Sequence, residues 1–473
     1  MNSRDAIVVG SGPNGLAAAI VLVRAGCSVD VLEADHRIGG GTRSAELTLP
    51  GFIHDVCSAA HPLAMASPFF RSCPLPEYGL EFVQPPVPMA HPLDGGRAVV
   101  LGRSLEETSR GLDRDAAAYR RLVRPLVADA PGLLAEILRP FPRPRHPITL
   151  ARFGWSGIQP AEYLAMHAFK TDTARALIAG LAAHSMVRLS QFPSGAVALM
   201  FAVTAHAWGW PLVRGGSQQL AAALVRYLEN LGGRVLVDRR VDSVDDLPAH
   251  RAVLFDLTPR ELLRVAGSAF PPRYGRKLER YRYGPGVFKV DWALEAPIPW
   301  GSDICRQAGT VHLGGTLEEI VAAEDQVHFG SHPERPFVLL VQPSLFDTTR
   351  APAGKHTAWA YCHVPNGSNV DMTDRIEAQV ERFAPGFRNR IAGRHLMSPL
   401  DLERYNPNLV GGDINGGIAD LRQLFARPTW MTYRTPNRSI YICSSATPPT
   451  GGVHGMCGSN AAEIALRRTL GRR

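Results

Sequence analysis

An apolar strand running into a glycine-rich turn and a helix, a carboxylate closing the next strand, and two further glycine-rich blocks far downstream predict an α/β fold, α+β over the whole chain. The first is Ala6–Val9 entering Gly10-Ser11-Gly12-Pro13-Asn14-Gly15 and a helical pattern, Leu16–Ala25. The second is Glu33, which ends the apolar strand Ser28–Leu32 and stands 18 residues after Gly15. The blocks lie around residues 215–244 and 439–469. Together they predict a Rossmann-type dinucleotide-binding domain interleaved with a mixed sheet-and-helix domain.

Each glycine of the first turn has its own task. Gly10 permits the tight strand-to-helix turn, Gly12 lets the backbone approach a pyrophosphate, and Gly15 lets the helix pack against the strand. Pro13 and Asn14 complete the loop, whose amides and helix N-terminus favour an anion. Glu33, followed by Ala34, is placed to accept hydrogen bonds from ribose hydroxyls. Beyond it runs Asp35-His36-Arg37-Ile38-Gly39-Gly40-Gly41-Thr42-Arg43, a second glycine cluster that favours FAD over NAD.

At this cluster the sequence resembles the flavoprotein superfamily of amine oxidases and phytoene desaturases, in which a glycine pair after the acid carries the chain past the flavin side of the cofactor. The resemblance implies that Gly40, Gly41, Thr42 and Arg43 line that path, with Arg43 or Arg37 supplying the basic contact that many members place at the position of Gly41. It extends to the last block, a short strand Ser439–Cys443, the loop Pro448–Asn460 and a helix Ala461–Thr469. There Gly452, Val453 and Met456 are expected at the flavin, and Thr450 takes one of the family's glycine positions. In the middle block, Gly215-Gly216-Ser217, the helix Gln218–Leu231 and the strand after Gly232-Gly233 resemble the segment whose valine backbone reads the adenine, which points to Val241.

These blocks divide the chain into a discontinuous FAD-binding domain, 1–66, 206–272 and 425–473, and a substrate domain, 67–205 and 273–424. The first substrate stretch reads as mainly helical: Asp115–Ala130, Gly132–Leu138, a proline-rich break Pro140–Pro147, then Thr171–His184. The second alternates strands (Val287–Leu294, Phe337–Gln342, Thr357–His363) with turns and one helix, Asp374–Arg382. Residues 191–213 carry no charge. Ser194-Gly195, His206, Gly209 and Pro211 interrupt them, so a buried helix is expected rather than a span of roughly 20 apolar residues.

With 473 residues, 45% of them hydrophobic and 20% charged, the composition is that of a soluble globular chain with more than one core. The net charge is +8, yet only four of the 51 basic residues are lysine, and the arginines scatter without a nucleic-acid motif. No nucleic-acid partner is expected. Seven dispersed cysteines form no CxxC and no zinc spacing, which suggests a reducing compartment. The cofactor strand starts within the first ten residues, so no signal peptide is expected and the cytoplasm is the expected location, with peripheral membrane contact left open. Neither a redox cysteine pair nor a second glycine fingerprint is present. The reduced flavin is therefore expected to meet an external acceptor, oxygen or a quinone, and not NADH or NADPH.

Candidate catalytic residues are fewer. Strand alternation places Val287, Lys289, Asp291 and Ala293 on one face. A lysine kept where arginine is the rule can tune its protonation or hold a water. Lys289 also resembles the lysine that holds a water at flavin N5 in amine-oxidase-type enzymes. The competing reading, an ion pair with Asp291, stays open. His61, Tyr361 and His363 are further candidates for the chamber wall. The sixteen histidines lack a metal-binding spacing, so no metal is expected.

The expected function is that of an FAD-dependent oxidoreductase, the cofactor held noncovalently, which moves hydride from an apolar organic substrate to flavin N5 and leaves a C=C bond. Amine or alcohol oxidation with oxygen, redox-neutral isomerisation and a non-catalytic flavin-stabilised interaction protein remain as alternatives.

Overall fold

The computed structural model describes residues 4–140 and 144–472, so part of the proline-rich break lies outside the described residues. One sheet has five strands, all parallel, in the order Ile440–Ile442, His250–Phe255, Arg4–Val9, Val29–Leu32, Arg234–Leu236. The glycine turn leaves the carboxyl end of its central strand. Alternation splits that strand between two cores: Ala6 and Val8 face one apolar cluster, Ile7 and Val9 the other. On the first face the helix Pro13–Arg24 is sandwiched between Gln218–Asn230 and Met456–Ala465. Contact with the last of these is so close that a Cβ on Gly458 would lie 1.8 Å from the carbonyl oxygen of Asn14.

A second sheet of seven strands is mixed, in the order Ile391–Met397, Gly286–Leu294, His356–Val364, Val338–Val341, Ala308–Leu313, Val87–Pro92, Ala98–Leu101. Its neighbours are antiparallel except Ala308–Leu313 beside Val87–Pro92. Two of these strands come from the stretch 67–205, whose sequence reads as mainly helical. Pro88, His91 and Pro92 hide the strand pattern of Val87–Pro92, although Met89 and Ala90 are fully buried in it. The stretch 273–424 likewise holds a second long helix, Leu317–His328, opened by a capping box between Thr316 and Glu319.

The uncharged segment 191–213 contains the helix Ser194–Trp208. It packs against Asp172–Ala183, Ala161–Ala168 and Pro147–Gly157. Ala198, Leu199 and Ala202 are inaccessible to solvent. This helical layer and the second sheet enclose a third apolar cluster, one end of which opens towards the glycine turn.

Candidate cofactor and substrate site

The turn Gly10–Gly15 is packed too closely for side chains. A Cβ on Gly15 would lie 2.1 Å from the carbonyl oxygen of Gly10, and one on Gly12 would lie 2.6 Å from a carboxyl oxygen of Asp256. Asp256 follows the strand His250–Phe255 and accepts a hydrogen bond from the Gly15 amide at 3.0 Å. Burial, reinforced by the charge of Glu33, pushes its carboxyl up to about 7. Sequence reasoning missed this residue; its signal was a carboxylate at the end of a strand beside the glycine turn.

Glu33 closes the neighbouring strand. One of its oxygens accepts from the Ser11 amide at 2.9 Å and the Ser11 hydroxyl at 2.5 Å, while the other accepts from the Asp35 amide at 3.0 Å and from Arg43 at 3.2 Å. Arg43 also pairs with Asp35 at 2.9 Å and lies over the Tyr405 ring. The carboxylate is thus oriented before any ligand arrives, and Arg43 is fixed against it.

A cavity of about 710 Å³ starts at these groups and ends between the helical layer and the second sheet. Gly10, Gly12, Pro13, Asn14, Glu33, Ala34, Gly40, Gly41, Thr42, Arg43, Gly452 and Val453 line it, as do His61 and Tyr361. Five expected residues do not. Gly15 lies behind the turn, where its amide serves Asp256. Val241 is buried in the apolar cluster of Leu32 and Val265; Asp238 and Arg240 reach the cavity from its segment instead. Met456 opens the last helix, its amide donating to His454 Nδ1.

Lys289 and His363 are the other two corrections. The Lys289 ammonium lies 2.5 Å from both carboxyl oxygens of Asp291 and over the Trp359 ring, and both members of the pair are buried. Burial opposes ionisation of Asp291, yet Lys289, with His395 and His54, holds its carboxyl below the usual range. The i, i+2 spacing on one strand face makes this pairing a local affair, and it satisfies the lysine away from the cavity. His363 pairs with Glu324 of the helix Leu317–His328 at 2.8 Å, a buried imidazole taking a buried carboxylate packed against its strand.

His61 does face the cavity, and its hydrogen bonds fix its tautomer. Ser217 donates its hydroxyl proton to the Ser58 carbonyl, so His61 Nε2 donates to Ser217 Oγ at 2.8 Å. Burial lowers the ring to about 4. Thr450 also lines the cavity, at φ 99°, a left-handed conformation a β-branched residue holds only at a cost of about 1–3 kcal/mol. Strain of this kind next to Gly451 and Gly452 shapes the loop that faces the turn.

Polarity is divided along the cavity. The lining carboxylates among the described residues, Glu33, Asp35, Asp238 and Asp256, all belong to the nucleotide end. The far end is walled by Met186, Met200, Phe201, Trp210, Leu339 and Val341, with Trp359 and Tyr361 stacked at 5.7 Å and 19°. His184 is set into that wall. Sequence reasoning found Tyr361 but neither His184 nor Trp359. Strand alternation would have put Trp359 on the same face as Tyr361.

Residues 8–70 match the family model of the NAD(P)-binding Rossmann-like domain. Over 98% of its length the chain is 26% identical to "Pyridine nucleotide-disulfide oxidoreductase domain-containing protein 2" of Rattus norvegicus, covering 93% of that protein. It is 24% identical to a lycopene-forming phytoene desaturase of a Paracoccus species, over 57% of either chain. Among solved structures, putrescine oxidase bound to putrescine superimposes with a TM-score of 0.61 at 19% identity, over 99% of this chain and 100% of that one. The chain therefore carries a Rossmann-like domain, is similar in sequence to phytoene desaturases over part of its length, and shares its fold with putrescine oxidase.

Proposed function

We propose that the cavity holds FAD noncovalently and that the chain is an FAD-dependent oxidoreductase acting on a neutral, largely apolar small molecule. The observation that carries this is the continuity of the cavity, from a nucleotide-type cradle at Glu33 and Gly12 to an aromatic chamber without a carboxylate among the described residues. When bound, the flavin supplies the hydride acceptor, N5. The chain's own residues do the rest: Glu33 takes the ribose hydroxyls, the amides of the Gly10–Gly15 turn face the phosphates, and Trp359, Tyr361, Phe201 and Met200 exclude water and hold the substrate carbon in place.

Two reactions suit such a chamber. Oxidation of a C–N or C–O bond with oxygen as acceptor draws support from the putrescine oxidase fold match and from the stacked pair Trp359–Tyr361, an aromatic surface suited to an uncharged amine or alcohol. Desaturation to a C=C bond draws on the more local likeness to phytoene desaturases. The fold matches favour the first. Anaerobic addition of amine, alcohol and terpene pools to the FAD-loaded protein should bleach the flavin band with at least one pool, and admitting air should restore it. Product mass then separates the two reactions: an aldehyde or ketone for the first, an intact skeleton short of two hydrogens for the second. Bleaching by NADH alone, or by none of the pools, would overturn the proposal.

An anionic membrane surface fits as the source of lipophilic substrate. No helix among the described residues is long and apolar enough to cross a membrane. Exposed apolar side chains gather on Pro147–Gly157, Ala161–Ala168 and the link between them: Ile148, Trp155 (79% exposed), Ile158, Tyr163 and Met166. Arg145 and Arg152 are exposed among them, the charge that anionic headgroups attract. These helices rest on Ser194–Trp208, whose Val197, Met200 and Phe201 line the chamber. Co-sedimentation with phosphatidylglycerol vesicles should exceed that with phosphatidylcholine, and Trp155→Glu with Ile158→Glu should reduce it at least about tenfold. Equal sedimentation of the double variant would sink this part of the reading.

A further inference from the structure

We propose that His184 is the hydrogen-bond acceptor of the chamber, its bare nitrogen fixed by His312 and His91, and that the site therefore selects a substrate with an O–H or N–H group over a hydrocarbon of the same shape. This rests on the oxidoreductase reading and names its substrate class. The three imidazoles come from distant parts of the chain. His91 and His312 sit on the paired strands Val87–Pro92 and Ala308–Leu313, both fully buried, and His184 caps the helix Asp172–Ala183. Gly180 of that helix lies over both strands. A Cβ there would be 2.9 Å from His312 Nδ1 and 3.0 Å from His91 Nδ1, so the two nitrogens converge on one point.

The tautomers follow from one end of the chain to the other. His91 Nε2 lies 2.8 Å from the Gly315 carbonyl oxygen, which can only accept, so Nε2 carries the proton. Burial lowers His91 to about 4, so the ring is neutral and its Nδ1 is bare. His312 Nδ1 is likewise buried, with no hydrogen-bond partner of its own, and faces the same point. Were it bare as well, two lone pairs would converge in a dry interior, where such groups are costly. With its proton on Nδ1, on the side of the bare His91 nitrogen though not hydrogen-bonded to it, His312 presents a bare Nε2. That nitrogen stands 3.0 Å from His184 Nε2, which must then donate. His184 Nδ1 is left bare. Burial, with the nearby His363, lowers His184 to about 3, and the ring stays neutral beside Phe201 and Trp210, with ring centroids at 4.7 and 5.8 Å.

A bare acceptor in this wall discriminates, because a ligand that cannot donate leaves it unpaired; the bare Nδ1 of His61 and the unpartnered hydroxyl of Thr310 also line the cavity, so the loss of preference in His184→Phe is what assigns the selection to His184. Two-bond 15N–1H correlation spectra of the 15N-histidine-labelled protein, with the His184 signals assigned from His184→Phe, read the tautomer directly and do so with or without FAD. A bare Nδ1 and protonated Nε2 are expected; a protonated Nδ1, or an imidazolium at neutral pH, would overturn the proposal. His312→Phe should return His184 to a mixture of tautomers, whereas an unchanged single tautomer would show that the chain of imidazoles does not set it. Benzyl alcohol and benzylamine should move the His184 signals and bind at least about tenfold more tightly than toluene, a preference lost in His184→Phe. Equal binding of toluene to the wild-type protein would also overturn it. Flavin that no substrate pool bleaches would remove the redox reading while leaving the tautomer result standing, so the two failures are distinguishable.

Discussion

Glu33→Ala is expected to fold and to leave purification without its yellow cofactor. Its carboxylate, at the cavity's nucleotide end, is already oriented by four protein donors: the Ser11 amide and hydroxyl, the Asp35 amide and the Arg43 guanidinium. A hydrogen bond to a charged group contributes about 1.5–3 kcal/mol, so the FAD dissociation constant should rise roughly 10- to 150-fold. The fold should survive because Arg43 retains Asp35 at 2.9 Å. Glu33→Gln, which keeps an acceptor for the Ser11 amide, should fall between the variant and the wild type. Fluorescence of FAD released on acid precipitation measures occupancy, and a melt of the cofactor-free protein checks the fold. Full occupancy in Glu33→Ala would mean that the ribose contact lies elsewhere.

Lys289→Met is expected to cost stability and not chemistry. Breaking a buried ion pair by removing one partner typically costs about 3–5 kcal/mol, since the other charge is left without compensation. Here the orphan would be Asp291, fully buried, with His54 and His395 each 3.5 Å away as its remaining neighbours. Asp291→Asn should lower the melting temperature in the same way. The double variant Lys289→Met/Asp291→Leu should recover most of the loss, because an apolar pair of similar volume removes both desolvation costs. Asp291 ionises more readily folded than unfolded, so the pair's contribution is present at neutral pH and lost on acidification through the folded-state pKa. Normal melting of Lys289→Met with flavin reduction or reoxidation slowed tenfold would instead restore the lysine to the chemistry.

What could be read from the sequence was what lies within one contiguous segment. The first turn, Glu33 and the glycines after it occupy fewer than forty residues, so their spacing and the family resemblance they carry are both read within one segment. Lys289 marks the limit of this kind of reading. Alternation placed it on the face of Asp291, and strand pairing adds Trp359 and Tyr361 to that face, but a period-two pattern cannot say whether a side chain turns to its i+2 neighbour or into a cavity. The chamber was less accessible still, because its polar group depends on His91, Gly180, His184 and His312, brought together by sheet pairing and helix packing. Val241 does not line the cavity for a related reason. It was assigned by analogy to a segment whose backbone path in this chain puts Asp238 and Arg240, not the valine, at the cavity.

The contact between Gly458 and Asn14 has a consequence for how the protein comes into being. The helix after the first glycine turn buries Leu16 and Ile20 in a cluster completed by Ala461 and Ala465, more than 400 residues later. At roughly 5–20 residues per second, ribosomal synthesis of the intervening chain occupies about 20–90 s. For that interval the nascent nucleotide cradle lacks one wall, and its apolar flank is open to chaperones or to misassociation. On the proposed FAD reading, cofactor capture is thus a late event in biogenesis, and the supply of free flavin at that moment bears on how much chain reaches the native state.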